Sequence, residues 1–142
     1  MNWFAKKKVL VPVDFSEESF TAVDSALALV ENASDLTIVY VLQDLSPMEP
    51  GELWQTVDSE SRIKHAIKAL RERLSDARYR EVQMDVVIGD PGHEIAAVAE
   101  REGCDLIVLP SHGRTGIKRM LIGSVAERVV RLAHCPVLVL RS

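Results

Sequence analysis

The residues best suited to chemistry gather in one stretch, Ser111-His112-Gly113-Arg114-Thr115-Gly116, which runs on to Gly123-Ser124. Gly113, Gly116 and Gly123 are three of only seven glycines in the chain, and Gly123-Ser124 stands where a helix opens. Backbone N–H groups at a helix N-terminus, with glycines permitting close approach, make an anion site suited to phosphate. Arg114, Lys118 and Arg119 add local positive charge. The plainer reading, a solvated glycine turn, accounts less well for three glycines crowded immediately ahead of a helix. Further polar groups follow the other apolar runs: Asp14, then Gln43 and Asp44, then Gly89-Asp90.

Other chemistries find less support. Asp14, His112 and Ser124 can be drawn as a hydrolase triad, but no GxSxG elbow places a serine on a strand-to-helix turn. Neither GxxxxGK[ST] nor a GxGxxG after the first strand is present. His112 reads as a loop residue lining the site or bonding locally. His65, His93 and His134 read as surface or helix-end residues, and none has metal-ligand spacing. Cys104 and Cys135 lack CxxC spacing and are expected to be reduced packing residues.

The elements that must hold these groups alternate in type. Five mostly continuous apolar runs, 8–13, 36–42, 82–88, 106–110 and 136–141, predict strands covered on both faces. The third alternates more, the pattern of an edge. Phe20, Val23, Leu27 and Val30 recur at helical spacing after a Ser16 cap, as do Ile63, Ile67, Leu70 and Leu74. Pro91 opens a third helix with Ile95, Val98 and Ala99 inward, and Ser124 caps a fourth containing Val125, Val129 and Leu132. The predicted order is β-α-β-α-β-α-β-α-β, an α/β fold with a parallel sheet. Residues 43–54, with two prolines and a glycine, predict a mobile or partner-facing loop. In such sheets ligands bind outside the carboxyl ends of the strands, where the polar groups above collect.

Composition narrows the partners. At 142 residues, with 47% hydrophobic and 27% charged positions, the chain is expected to form one domain over residues 1–142. A net charge of −4 gives no basic footprint for nucleic acid, so an anionic ligand must meet a local patch. The opening MNWFAKKK has its apolar residues before its charges, the reverse of a secretory signal, and no run approaches the ~20 apolar residues of a spanning helix. The expectation is a cytoplasmic protein with no membrane partner.

Taken along its length the chain resembles a universal stress protein, in that family's nucleotide-binding branch. VPVDFSEES (11–19) resembles the family's opening strand and turn, YVLQD (40–44) the end of its second strand, and GDPGHEI (89–95) its third-strand turn. GSVAERVVRLAHCPVLVLR (123–141) resembles its closing helix and strand. The branch carries glycine, two residues, glycine, nine residues, then glycine with serine or threonine. Gly113 and Gly123-Ser124 match the second and third elements, and Pro110 stands where the first glycine belongs.

The resemblance implies a Rossmann-like five-stranded parallel sheet in order 3-2-1-4-5, with ATP between strands 1 and 4. It implies that Asp14 and the backbone of Val41 meet adenine or ribose, that Pro12 shapes that wall, and that Gly89 lets the nucleotide pass close. Gly113, Gly123, Ser124 and the Val125 amide would cradle phosphates, with Arg114 as a weaker addition. Mg²⁺ would be carried by the phosphates, as that ion usually keeps its waters and leans on them. Proline at 110 removes an N–H, so any amide contact there is lost. With phosphate donors but no base for water, at most slow ATP hydrolysis is expected. The implied role is a nucleotide-dependent stress-response module that homodimerises through strand 136–141 and binds a protein partner. The alternative is a nucleotide-free interaction module.

Overall fold

A computed structural model of the protein describes residues 6–44, 52–112 and 122–141, with 52–57 described by backbone alone. The order is β1 (Val9–Val13), α1 (Glu17–Leu27), β2 (Leu36–Leu42), α2 (Glu52–Arg73), β3 (Gln83–Ile88), α3 (Pro91–Glu102), β4 (Leu106–Pro110), α4 (Ser124–Leu132) and β5 (Val137–Leu140). Short 3₁₀ turns at Ala33–Asp35 and Ala77–Tyr79 precede β2 and β3. All pairings are parallel, in the order β3-β2-β1-β4-β5. This is the predicted α/β architecture, and the alternating third strand is indeed an edge.

Strand periodicity divides the core into two layers. Val9, Val11 and Val13 of β1 point to one face, where Phe20, Val23 and Ala26 of α1 and Ala66 and Leu70 of α2 cover them. The intervening Leu10 points to the other, against Val39, Ile107, Ile95 and Val98 of α3, and Ala126 and Val129 of α4. Successive residues of a strand face opposite sides, so a central strand buried on both must be apolar throughout. That is why β1 and β4 read as unbroken runs.

The helix starts follow capping chemistry. Ser16 caps α1 by accepting the Ser19 N–H at 3.1 Å, ahead of Glu17 and Glu18 in the first turn. Asp90 caps α3 by accepting the His93 N–H, with Pro91 behind it. Ser16→Ala is expected to lower stability by about 1–2 kcal/mol in a urea titration, because this cap is buried and its hydroxyl also bonds Asp14.

The structure corrects several boundaries. Ser124 is not the cap of α4 but its first helical residue, and Gly123 is the cap. Residues 52–54, placed by sequence in a loop, begin α2, while 45–51 lie outside the described residues. Val30 and Leu74 pack on the core from beyond the ends of their helices. Val125 and Leu132 stay 39% and 37% exposed on the outer side of α4, so Ala126 and Val129 do the inward packing.

Candidate functional site

β1 and β4 pair at only two positions, Val9↔Leu106 and Leu10↔Ile107, whereas β1 and β2 pair along all of β1. Two prolines explain the difference. The β1–β2 ladder runs unbroken through Pro12 to Val13, so Pro12 must turn its nitrogen the other way, toward β4. On β4, Ile107 donates its N–H to Pro136 and the Ser111 N–H just beyond the strand goes to Leu140, so Val108 and Pro110 face β1. The next rungs would need an N–H from Pro12 and then one from Pro110, and neither has one. The ladder therefore stops at Leu10↔Ile107, leaving the carboxyl ends of β1 and β4 without a hydrogen bond between them. This is also where the connections diverge, β1 leading to β2 on one side while β4 lies on the other. Such a switch point is the usual ligand crevice of an open parallel sheet.

On the β1 side the crevice is edged by a tight turn. Asp14 Oδ1 accepts the Ser16 N–H at 3.0 Å and the Ser16 hydroxyl, while the Asp14 N–H reaches Ser19 Oγ at 3.4 Å. Between them Phe15 adopts φ +65°, the described non-glycine residue with positive φ. A bulky residue there costs on the order of 1–3 kcal/mol, and its surroundings must hold it in place. They do so through edge-on ring contacts to Tyr40 at 5.0 Å and Phe20 at 5.8 Å. Phe20 in turn carries the Arg73 guanidinium 4.2 Å over its face. The aromatic cluster thus fixes the turn that presents Asp14.

The opposite wall is the carboxyl end of β4. Ser111 is buried, accepts the Gly123 N–H on its carbonyl, and bonds His112 Nδ1 through its hydroxyl at 3.2 Å. Both ends of the connection leaving β4 are thereby tied together at the start of α4. The helical bonding of α4 begins with Glu127 N–H to Gly123 C=O at 2.9 Å. The Ser124, Val125 and Ala126 amides consequently have no carbonyl four residues back within the helix and point out of its positive end. A Cβ at Gly123 would sit 3.1 Å from the Ser111 carbonyl oxygen, so the glycine lets the helix end approach the strand.

The β2 and β3 ends complete the rim. Gly89 donates its N–H to the Leu42 carbonyl at 2.9 Å, so Leu42 faces β3. By strand alternation the Val41 carbonyl is turned to the opposite side, past Val13, the last residue of β1 to pair. Gly89 itself has φ +152°, and the space of its missing side chain is filled by Glu94, whose Oε1 would lie 2.7 Å from a Cβ. The close approach at Gly89 is therefore made by Glu94. Arg128 of α4 lies over Gly92 and pairs with Asp90 at 3.4 Å, joining the starts of α3 and α4.

Pro12, Asp14, Val41 and Gly89 thus stand at the carboxyl ends of β1, β2 and β3, and Gly123, Ser124 and Val125 open α4 beside the carboxyl end of β4. Gly113 and Arg114, with Gly116, Lys118 and Arg119, lie outside the described residues. Phe15, Glu94 and Arg128 are residues that the structure adds to this region. Arg128 offers a helix-spacing signal one turn after Ser124, whereas nothing in the residue type announces the backbone of Phe15. Among the described residues no group of three or more His, Cys, Asp or Glu is arranged to hold a metal ion, and no helix is long and apolar enough to cross a membrane.

A sheet order of 3-2-1-4-5, split between β1 and β4 with a glycine-capped helix above the split, matches a known family. Residues 6–141 match the model of the universal stress protein family. The chain belongs to that family. It is 36% identical over 141 residues to the universal stress protein MJ0531 of Methanocaldococcus jannaschii, covering 95% of this chain and 82% of the relative. Among solved structures, the universal stress protein UspA of Lactobacillus plantarum superposes with a TM-score of 0.76 at 28% identity, over 96% of this chain and 99% of that one. A universal stress protein solved in complex with cAMP superposes with a TM-score of 0.67 at 25% identity, over 96% and 97% of the two chains.

Within a universal stress protein fold the donors at this crevice suit an anion. The outward amides of α4 supply N–H donors and the positive end of a helix dipole. The Asp14 turn and the Val41 carbonyl supply acceptors at the other side, while the Ser111-His112 pair adds a hydroxyl and an imidazole beside α4. Such a division, donors at one end and acceptors at the other, fits a ligand with one anionic and one hydroxyl- or amine-bearing end.

Proposed function

We propose that this universal stress protein belongs to the nucleotide-binding branch of its family and binds ATP in the β1–β4 crevice. The observation that carries the reading is the switch point itself, where the β1–β4 ladder ends before Pro12 and Pro110 beside the outward amides of α4. The adenosine would lie along Pro12, Asp14 and the Val41 carbonyl, and the phosphates would meet Gly123, Ser124 and Val125, with Gly113 and Arg114 from the connecting segment. Mg²⁺ would travel with the phosphates, which supply most of its ligands. The complex of a relative with cAMP supports an adenine nucleotide as the ligand class.

Pro110 is compatible with this reading. Its missing N–H faces the crevice rather than β5, so β4 keeps its pairing with β5 through Pro110↔Leu140. One potential donor is lost and the helix amides remain. The protein acts, on this proposal, as a cytoplasmic nucleotide-dependent stress-response module rather than an efficient enzyme. Occupancy would change a partner-binding surface at this end of the sheet. The edge strand β5, with Leu138 40% exposed, is where a second copy would add to the sheet and form a homodimer.

The test is calorimetric titration of nucleotide-stripped protein with ATP and Mg²⁺, and separately with cAMP. One saturable site per chain is expected, together with a melting temperature that rises with nucleotide, because only the folded crevice binds it. No heat and no thermal shift at millimolar nucleotide would favour a second reading, a nucleotide-free interaction module, for which the proline at 110 is the supporting observation.

A further inference from the structure

The amino ends of β4 and β5 hold the chain's two cysteines side by side. Cys104 follows the Gly103 cap of α3, where its N–H returns to the Ala99 carbonyl at 2.9 Å, and Cys135 follows α4. The ladder pairs Ile107 with Val137, and the Ile107 N–H bonds the Pro136 carbonyl at 3.0 Å. Cys104 stands two residues before β4 and Cys135 two residues before β5, at the same end of two paired strands. Neighbouring strands lie about 4.8 Å apart. Disulfides are accommodated at about 4.4–6.8 Å between Cα atoms.

Three further observations agree. Both side chains lie in the layer between the sheet and α3 and α4, Cys104 buried and Cys135 packed against the same cluster. Both line one cavity of about 200 Å³, together with Ala99, Glu100 and His134. Burial pushes the Cys104 thiol up to about 11; Lys8 opposes the rise and a charge on Cys135 would add to it. Burial raises Cys135 as well, and both are free thiols.

We propose that Cys104 and Cys135 form an oxidisable dithiol, a modification site converted to an intramolecular disulfide by low-molecular-weight disulfides. The half-buried Cys135 is the entry point. As a thiolate it attacks one sulfur of the reagent, forming a mixed disulfide and releasing one small thiol. Cys104 then loses its proton and displaces the second small thiol, closing the Cys104–Cys135 bond. Two protein thiols are oxidised, the reagent disulfide is reduced to two thiols, and the protein's two protons end on them. Thiols become strong oxidants as disulfides when their reduced form is stabilised as thiolate; these thiols lack that stabilisation, so the bond forms slowly and then persists. The closed loop contains β4, α4 and the whole connection between them, so oxidation locks the frame of the candidate crevice from the far end of the sheet.

The experiment takes the fully reduced chain, incubates it with glutathione disulfide at mildly alkaline pH, and follows intact mass, non-reducing peptide maps and melting temperature. The expected product is monomolecular, lighter by two hydrogens, linked Cys104 to Cys135, and reverted by dithiothreitol. Its melting temperature is expected to rise on the order of 10 °C, from loop-closure entropy removed from the unfolded chain. Stable glutathione adducts without the internal link, disulfide-linked dimers, or two thiols still free after prolonged incubation would each overturn the proposal. The readouts need no nucleotide and no variant, so the outcome is independent of the function proposed above.

Discussion

Leu10→Ala is expected to lower the free energy of unfolding by about 2–5 kcal/mol, seen as a lower urea midpoint at unchanged slope. Leu10 is fully buried on the central strand and packs in the layer under α3 and α4. It also stands at the last paired rung between β1 and β4, opposite Ile107. Strands on both sides hold the backbone at 10, so the layer can collapse only partly into the space left, which puts the cost toward the upper half of that range. The melting temperature should fall on the order of 10 °C. A midpoint within error of the wild type would mean that this layer contributes little, contrary to the burial of Val39, Val98, Ile107 and Val129 around it.

Much of this architecture was legible because burial on both faces leaves a plain record. The run 106–110 is apolar at Leu106 and Val108 for one layer and at Ile107 and Leu109 for the other, so no polar residue interrupts it. Residues 82–88 show partial alternation because β3 is covered by a neighbour on one edge only and stays half-exposed along much of its length. Asp14, Gln43, Asp44 and Asp90 are polar for the same reason, since they stand where the strands run out from under the helices and reach water.

What escaped the sequence depends on elements distant in the chain. Pro110 reads, alone, as a lost donor, and Pro12 as a residue that shapes the nucleotide wall. Only the pairing order sets both nitrogens toward each other and turns them into the reason the β1–β4 ladder ends early. The cap of α4 was misplaced by one residue because serine has the better capping side chain. What decides instead is space: Gly123 lies against the Ser111 carbonyl, where a side chain would crowd. The early start of α2 had a similar cause, since a proline and glycine can end just before a helix as readily as fill a loop. Cys104 and Cys135 are remote in sequence, and only the β4–β5 register makes them neighbours.

Gly123→Val is expected to abolish nucleotide binding while leaving the fold in place. Its φ of −72° suits any residue, so valine adds no backbone strain, and the penalty is steric and local. The new Cβ would meet the Ser111 carbonyl at 3.1 Å and His112 Cα at 3.6 Å, with two further methyls to place. The start of α4 must then move away from the end of β4, carrying the Ser124 and Val125 amides with it. Hydrogen bonds to charged groups contribute about 1.5–3 kcal/mol each, so losing two weakens binding on the order of a hundredfold or more. Calorimetry against ATP and Mg²⁺ reads this directly, with the circular dichroism spectrum and urea midpoint as the check that α4 persists. Gly123→Ala, with a Cβ and nothing beyond it, should fall between the two, because a shift of a few tenths of an ångström relieves its one close contact. Equal affinity in the wild type, the alanine and the valine variants would move the phosphates away from this helix end and leave α4 as a purely structural cover for the sheet.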